Sequence, residues 1–109
     1  MNCRFAIALT LGLALATVLG VVGANAQSFN CQFARTPDET TICQSKALSK
    51  LDGHLSWLYS RRLVLGSADQ TPQLVASQRA WLETRAGCGA NASCIGRLYR
   101  QRIAFLSRK

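Results

Sequence analysis

Histidine and acidic side chains are scarce in this chain: His54 is the only histidine, and five aspartates and glutamates stand against thirteen lysines and arginines. A nucleophile–histidine pair would therefore have to use His54. That residue sits beside an apolar helical stripe, and Asp52, two residues back, points elsewhere on the helix. No serine occupies a Gly-x-Ser-x-Gly elbow, and the five acids form no evident general acid/base pair along the chain. Hydrolytic chemistry thus has little support, and no catalytic residue and no cofactor are expected. Sustained period-two alternation is also missing, as are internal repeats and low-complexity tracts. Strands are not expected, so the chain reads as all-α.

The N-terminus reads as an export signal: a short basic start with Arg4, an apolar run from Phe5 to Val22, and small residues at Ala24-Asn25-Ala26. The run approaches the length of a membrane span, but its glycines and Ala-x-Ala ending favour cleavage. Residues 1–26 are expected to be a cleaved signal peptide, leaving a soluble chain that begins at Gln27. Cys3 lies in the basic start and no cysteine follows the apolar run, so a lipoprotein is not expected. The expected location is the periplasm or the medium.

Residues 27–109 keep twelve bases and five acids, a formal charge of +7, and an even set of cysteines: Cys31, Cys43, Cys88 and Cys94. An exported chain of this size with paired cysteines implies disulfides, which offset the small core that so short a domain can bury. Zinc is the competing reading. The gaps of eleven and five residues do not match the close C-x₂₋₄-C spacing of structural zinc sites, so no metal is expected. Four cysteines allow three pairings. The two local ones, Cys31–Cys43 and Cys88–Cys94, are favoured because each closes a short segment between helix ends.

Both prolines follow a threonine and announce helices. Thr36-Pro37-Asp38-Glu39 predicts a cap, a proline at the first helical position and a capping box through Glu39, opening a short helix that contains Cys43. Leu48, Leu51, Leu55, Leu58, Tyr59 and Leu63 then recur at helical spacing and predict a second helix to about Gly66. After a loop, Thr71-Pro72 predicts a third helix from Pro72 to Cys88 with Leu74, Trp81, Leu82 and Arg85 facing inward. Gly89 is placed to stop it. Asn91 is read as the cap of a fourth helix, although Asn91-Ala92-Ser93 also matches a glycosylation sequon. That helix presents Ile95, Leu98, Tyr99, Ile103 and Leu106. The expected architecture is a small disulfide-stapled bundle of three to four helices.

Asp52, Arg85 and Arg102 fall on or beside the core-facing stripes, near Tyr59, Gln78, Trp81 and Tyr99. These seven residues are the candidate network. A partly buried ion pair or hydrogen-bond network is favoured over a recognition site, since charges seldom enter a core unpaired. The remaining basic surplus gathers late, at Arg97, Arg100, Arg102, Arg108 and Lys109, and at Arg61-Arg62. Such a face suits anionic envelope lipid, cell-wall polymer or an acidic protein, and a solvated arginine-rich surface is the competing reading. Nucleic acid is not an expected partner, because an exported chain rarely meets it and no reading motif is present.

The order of Cys31, Ala34-Arg35-Thr36-Pro37, Glu39, Ile42-Cys43, Leu51-Asp52 and Tyr59 resembles the lysozyme inhibitor LprI-like N-terminal domain family. Gln78-Arg79-Ala80-Trp81-Leu82, Arg85, Cys88, Cys94, Tyr99, Arg102-Ile103 and Leu106 continue the resemblance, which spans residues 27–109 as one LprI-like helical domain. The resemblance implies a helical fold, export, and binding to a lysozyme or related cell-wall hydrolase as an inhibitor. A basic module that binds anionic envelope polymer or lipid, with no enzyme target, is the alternative.

Overall fold

The computed structural model describes residues 28–109. The expected signal peptide and its cleavage point lie outside the described residues. A short 3₁₀ turn, Cys31–Phe33, leads into α1 (Pro37–Gln44), α2 (Lys46–Leu65), α3 (Thr71–Ala86) and α4 (Ala92–Leu106), and no strand occurs among the described residues. The fold is all-α, stapled by Cys31–Cys43 and Cys88–Cys94 with Cα separations of 5.9 and 5.6 Å. Both local pairings form.

Local chemistry sets the boundaries. Pro37 opens α1, where Asp38 and Glu39 suit the positive end of the helix dipole. Instead of the full capping box, the Thr36 hydroxyl donates to Glu39 Oε1 at 2.8 Å and no side chain caps the α1 backbone. The hydroxyl-to-carboxylate bond is charge-assisted and stands here in place of the reciprocal side-chain-to-backbone pair. Ser45 is both the C-cap of α1 and the N-cap of α2, its Oγ accepting from the Leu48 N–H at 3.2 Å. The Ile42 carbonyl at this break accepts from the Ser45 N–H and, at 2.7 Å, from the buried Ser49 hydroxyl.

Three expectations for α3 need correction. The helix begins at Thr71 with Gln70 as its cap, because Thr71 N–H and hydroxyl both bond the Ser67 carbonyl and wind the preceding turn into the helix. It ends at Ala86 rather than Cys88. Leu82, expected inward, is 42% exposed, whereas Gln78 and Arg85 are buried and Leu74 and Trp81 pack against the core. The buried stripe thus runs 74, 78, 81, 85, and Leu82 lies about 70° from its middle.

The core is built from Ile42, Leu48, Leu55, Leu58, Ile95, Tyr99 and Leu106, with α2 against α4 as its principal seam. Gly96 lets α4 come close there: a Cβ on it would stand 3.5 Å from Leu48 Cδ2 and 3.2 Å from the Arg100 guanidinium. Between α3 and α4, Gly89 adopts φ +57°, the left-handed turn that glycine takes without strain, and Asn91 Oδ1 caps α4 by accepting from the Cys94 N–H at 3.0 Å.

Candidate functional site

Each of the four helices sends one polar side chain to a common point inside the bundle. Asp38 comes from α1, Asp52 from α2, Arg85 from α3 and Tyr99 from α4. Arg85 Nε donates to Asp38 Oδ2 at 2.7 Å and Arg85 Nη1 to the Tyr99 oxygen at 3.0 Å. The Tyr99 hydroxyl in turn donates to Asp52 Oδ1 at 2.7 Å, which lies 3.8 Å from Arg85 Nη1. Asp52 Oδ2 also accepts from the Ser28 N–H, which ties the start of the described chain to α2. The guanidinium carbon sits 5.9 Å from the Phe29 ring and 5.7 Å from the Trp81 ring, and Trp81 meets Tyr99 edge-on with centroids 5.1 Å apart.

All four members are at most 6% exposed. Burial alone would raise the Asp38 carboxyl, but the nearby Thr36 hydroxyl, the hydrogen bond and charge of Arg85, and the Glu39 N–H together outweigh it and hold Asp38 below its ordinary range. Burial likewise would lower Arg85, and its contacts with Tyr99 and with the Asp38 carboxylate raise it instead. For Tyr99, burial and the Asp52 carboxylate both push the phenol well above its ordinary value. A neutral tyrosine between an arginine and an aspartate is neither base nor nucleophile near neutral pH. Asp38 Oδ1 accepts no hydrogen bond from the described residues.

A second cluster lies further along α3 and α4. Arg102 Nε donates to Gln78 Oε1 at 3.0 Å and its Nη2 to the Ser77 hydroxyl at 2.9 Å, while the guanidinium carbon lies 4.9 Å from the Phe105 ring. Burial lowers the Arg102 pKa, and Tyr59 opposes the shift. The seven sequence candidates therefore separate: Asp52, Arg85, Tyr99 and Trp81 meet in the first cluster, Gln78 and Arg102 in the second with Tyr59 beside it. Asp38, Phe29 and Ser77 belong to these clusters and were not singled out from the sequence. Asp38 had a signal, since it precedes the fully buried Ile42 by one helical turn. Among the described residues no three His, Cys, Asp or Glu side chains group as a metal site would require.

At one end of the bundle a cleft of about 920 Å³ opens between the last turns of α2, the start of α3 and the end of α4. Leu58, Leu74 and Leu106 line it, with Arg61, Arg62, Arg108 and Lys109 also in its wall. Arg62 shapes that wall by donating to the carbonyls of Leu106 at 3.0 Å, Phe105 at 3.4 Å, and Arg108. These carbonyls lie at and just past the end of α4, where the Phe105 oxygen also accepts from the Arg108 N–H at 3.3 Å.

A family model described as lysozyme inhibitor LprI matches residues 31–106. The chain belongs to the lysozyme inhibitor LprI family. The LprI match begins at the first disulfide cysteine and ends at the buried Leu106, so it encloses both disulfides, Asp38, Asp52, Arg85, Tyr99 and the Arg102 cluster. The family description names an inhibitor, not a catalyst. Two disulfides suit an oxidising compartment, and among the described residues no helix is long and apolar enough to cross a membrane. No curated protein and no solved structure matches the chain.

Proposed function

We propose that this LprI-family chain is exported and acts by binding, inhibiting a lysozyme or a related cell-wall hydrolase by occluding its cleft, without covalent chemistry or a cofactor of its own. The observation that carries this reading is the family match over residues 31–106. Geometry supports it in two ways. Asp38, Asp52 and Tyr99 are all engaged inside the bundle, and His54 is exposed. Two disulfides and a polar cluster joining the four helices also fix the surface in advance, which reduces the ordering cost of association.

Charge gives the test its sign. Toward a cationic hydrolase a basic inhibitor is repelled at long range, so its affinity must come from short-range contacts, and salt should leave inhibition intact or strengthen it. The experiment is a titration of the oxidised protein into lysozymes of several classes, following cell-wall lysis at low and physiological salt. Saturable loss of lysis near equimolar protein, persisting in salt, is expected. Failure to inhibit any class overturns the proposal, and inhibition that disappears with salt reassigns the effect to unspecific charge.

A further inference from the structure

The fold does not account for a set of exposed apolar residues at the end of the bundle that holds the cleft. Trp57 is 57% exposed, Val64 81% and Leu65 71%, all on the last half of α2, and Phe105 at the end of α4 is 44% exposed. Trp57, Arg61 and Val64 fall at i, i+4 and i+7, a stripe turned away from the core positions Leu55 and Leu58. This stripe is continuous with the cleft. A shallow groove on the outer side of α2, lined by Trp57, Ser60, Arg61, Val64 and Leu65, shares Arg61 and Leu65 with the cleft wall.

The charges around this edge have one sign. Arg61, Arg62, Arg108 and Lys109 line the cleft, and no acid lines either depression; Asp69, in the connecting loop, is not part of either wall. Arg61 lies 5.3 Å from the Trp57 ring and Arg108 6.0 Å from the Phe105 ring, so cations and aromatic faces come in adjacent pairs. An indole and aliphatic side chains beside guanidinium groups suit the boundary between phosphate headgroups and acyl chains, where tryptophan settles and arginine binds phosphate. A soluble acidic polymer would meet the charges and leave Trp57, Val64 and Leu65 in water. We propose that this end of the bundle is a docking face for the surface of an anionic phospholipid membrane, with Trp57, Val64 and Leu65 entering the interface and Arg61, Arg108 and Lys109 pairing with headgroup phosphates. The proposal is independent of hydrolase inhibition.

The test uses the chain as isolated from the producing cell, its N-terminus read by mass spectrometry, with vesicles of phosphatidylglycerol and phosphatidylcholine and vesicles of phosphatidylcholine alone. Cosedimentation and tryptophan emission are followed for the natural chain, Trp57→Ala, the pair Arg61→Glu/Lys109→Glu, and the pair Arg79→Glu/Arg97→Glu. The last pair removes the same charge at exposed residues that line neither depression. Expected are binding to the anionic vesicles only and a blue shift that disappears in Trp57→Ala although Trp81 remains. The first charge pair should reduce partitioning at least about tenfold, at roughly fivefold per surface cation, and the second should reduce it much less. Absence of binding to anionic vesicles overturns the proposal. Equal losses for the two charge pairs overturn it in favour of diffuse attraction, and an unshifted Trp57 overturns it in favour of a headgroup contact without insertion.

Discussion

Replacing Arg85 by methionine tests the internal brace most directly. The side chain keeps much of its apolar length, but Asp38 and Asp52, 1% and 2% exposed, lose their cation. Bonds of 2.7 and 3.0 Å to Asp38 and Tyr99 disappear together. Removing one partner of a buried ion pair costs about 3–5 kcal/mol, because the other charge is left in the interior. Against the roughly 4–12 kcal/mol that a fold of the 82 described residues holds, this is a large share. It corresponds to a fall in Tm of about 12–40 °C. The sign of the pH dependence separates charge from packing. In the natural chain Asp38 is lowered from 3.8, so its contribution is present above that pH and is lost as the pH falls through the depressed value. In the variant, burial is opposed only by Thr36 and the Glu39 N–H, so Asp38 moves up from its natural-chain value, and the deficit is largest at neutral pH and is relieved as the carboxyl protonates. Urea unfolding followed by far-ultraviolet circular dichroism at pH 7 and pH 3.5 measures both. A deficit under about 1 kcal/mol at pH 7, the range of exposed pairs, would refute the account of a buried brace. A deficit equal at the two pH values would show that lost packing, not charge, is responsible.

Tyr99→Phe keeps the ring contact with Trp81 and removes the hydroxyl between Arg85 and Asp52, so a loss of about 1–3 kcal/mol in the same urea assay is expected. Because Tyr99 is raised above its ordinary 10.0, the natural chain should hold full stability from this group below pH 10 and lose it as the pH rises further, a dependence absent from Tyr99→Phe. Opening Cys31–Cys43 by paired serine substitution should cost about 3 kcal/mol, and opening Cys88–Cys94, with its shorter loop, about 2 kcal/mol. Leu55→Ala, at 3% exposure, should cost about 2–5 kcal/mol, whereas Leu82→Ala at 42% exposure should cost under about 1 kcal/mol.

Helix order and both disulfides were legible in the sequence because proline, threonine, asparagine and glycine act within a turn of where they stand. Asn91 and Gly89 did what their chemistry requires at the α3–α4 corner. The inward face of α3 was harder to read, because its buried positions include Gln78 and Arg85 while Leu82 faces out. Hydrophobicity alone therefore gives the wrong phase there. Asp38 looked like an ordinary first-turn acid, and only the placement of α3 beside α1 gives it Arg85, 47 residues away in the chain. The division of the candidates into two clusters likewise depends on which helices cross where, information that intervals along one chain do not hold.

The single residue between α1 and α2 constrains how the chain can change in length. One added or deleted residue turns a helix by about 100° relative to its neighbour in the chain. At Ser45 there is no slack to absorb that rotation, so an insertion would swing Asp38 and Ile42 off the core-facing side. The connection Gly66–Gln70 is longer and its residues 67–70 are exposed. Length variation among chains of this architecture should therefore collect after α2 and be excluded at the α1–α2 joint.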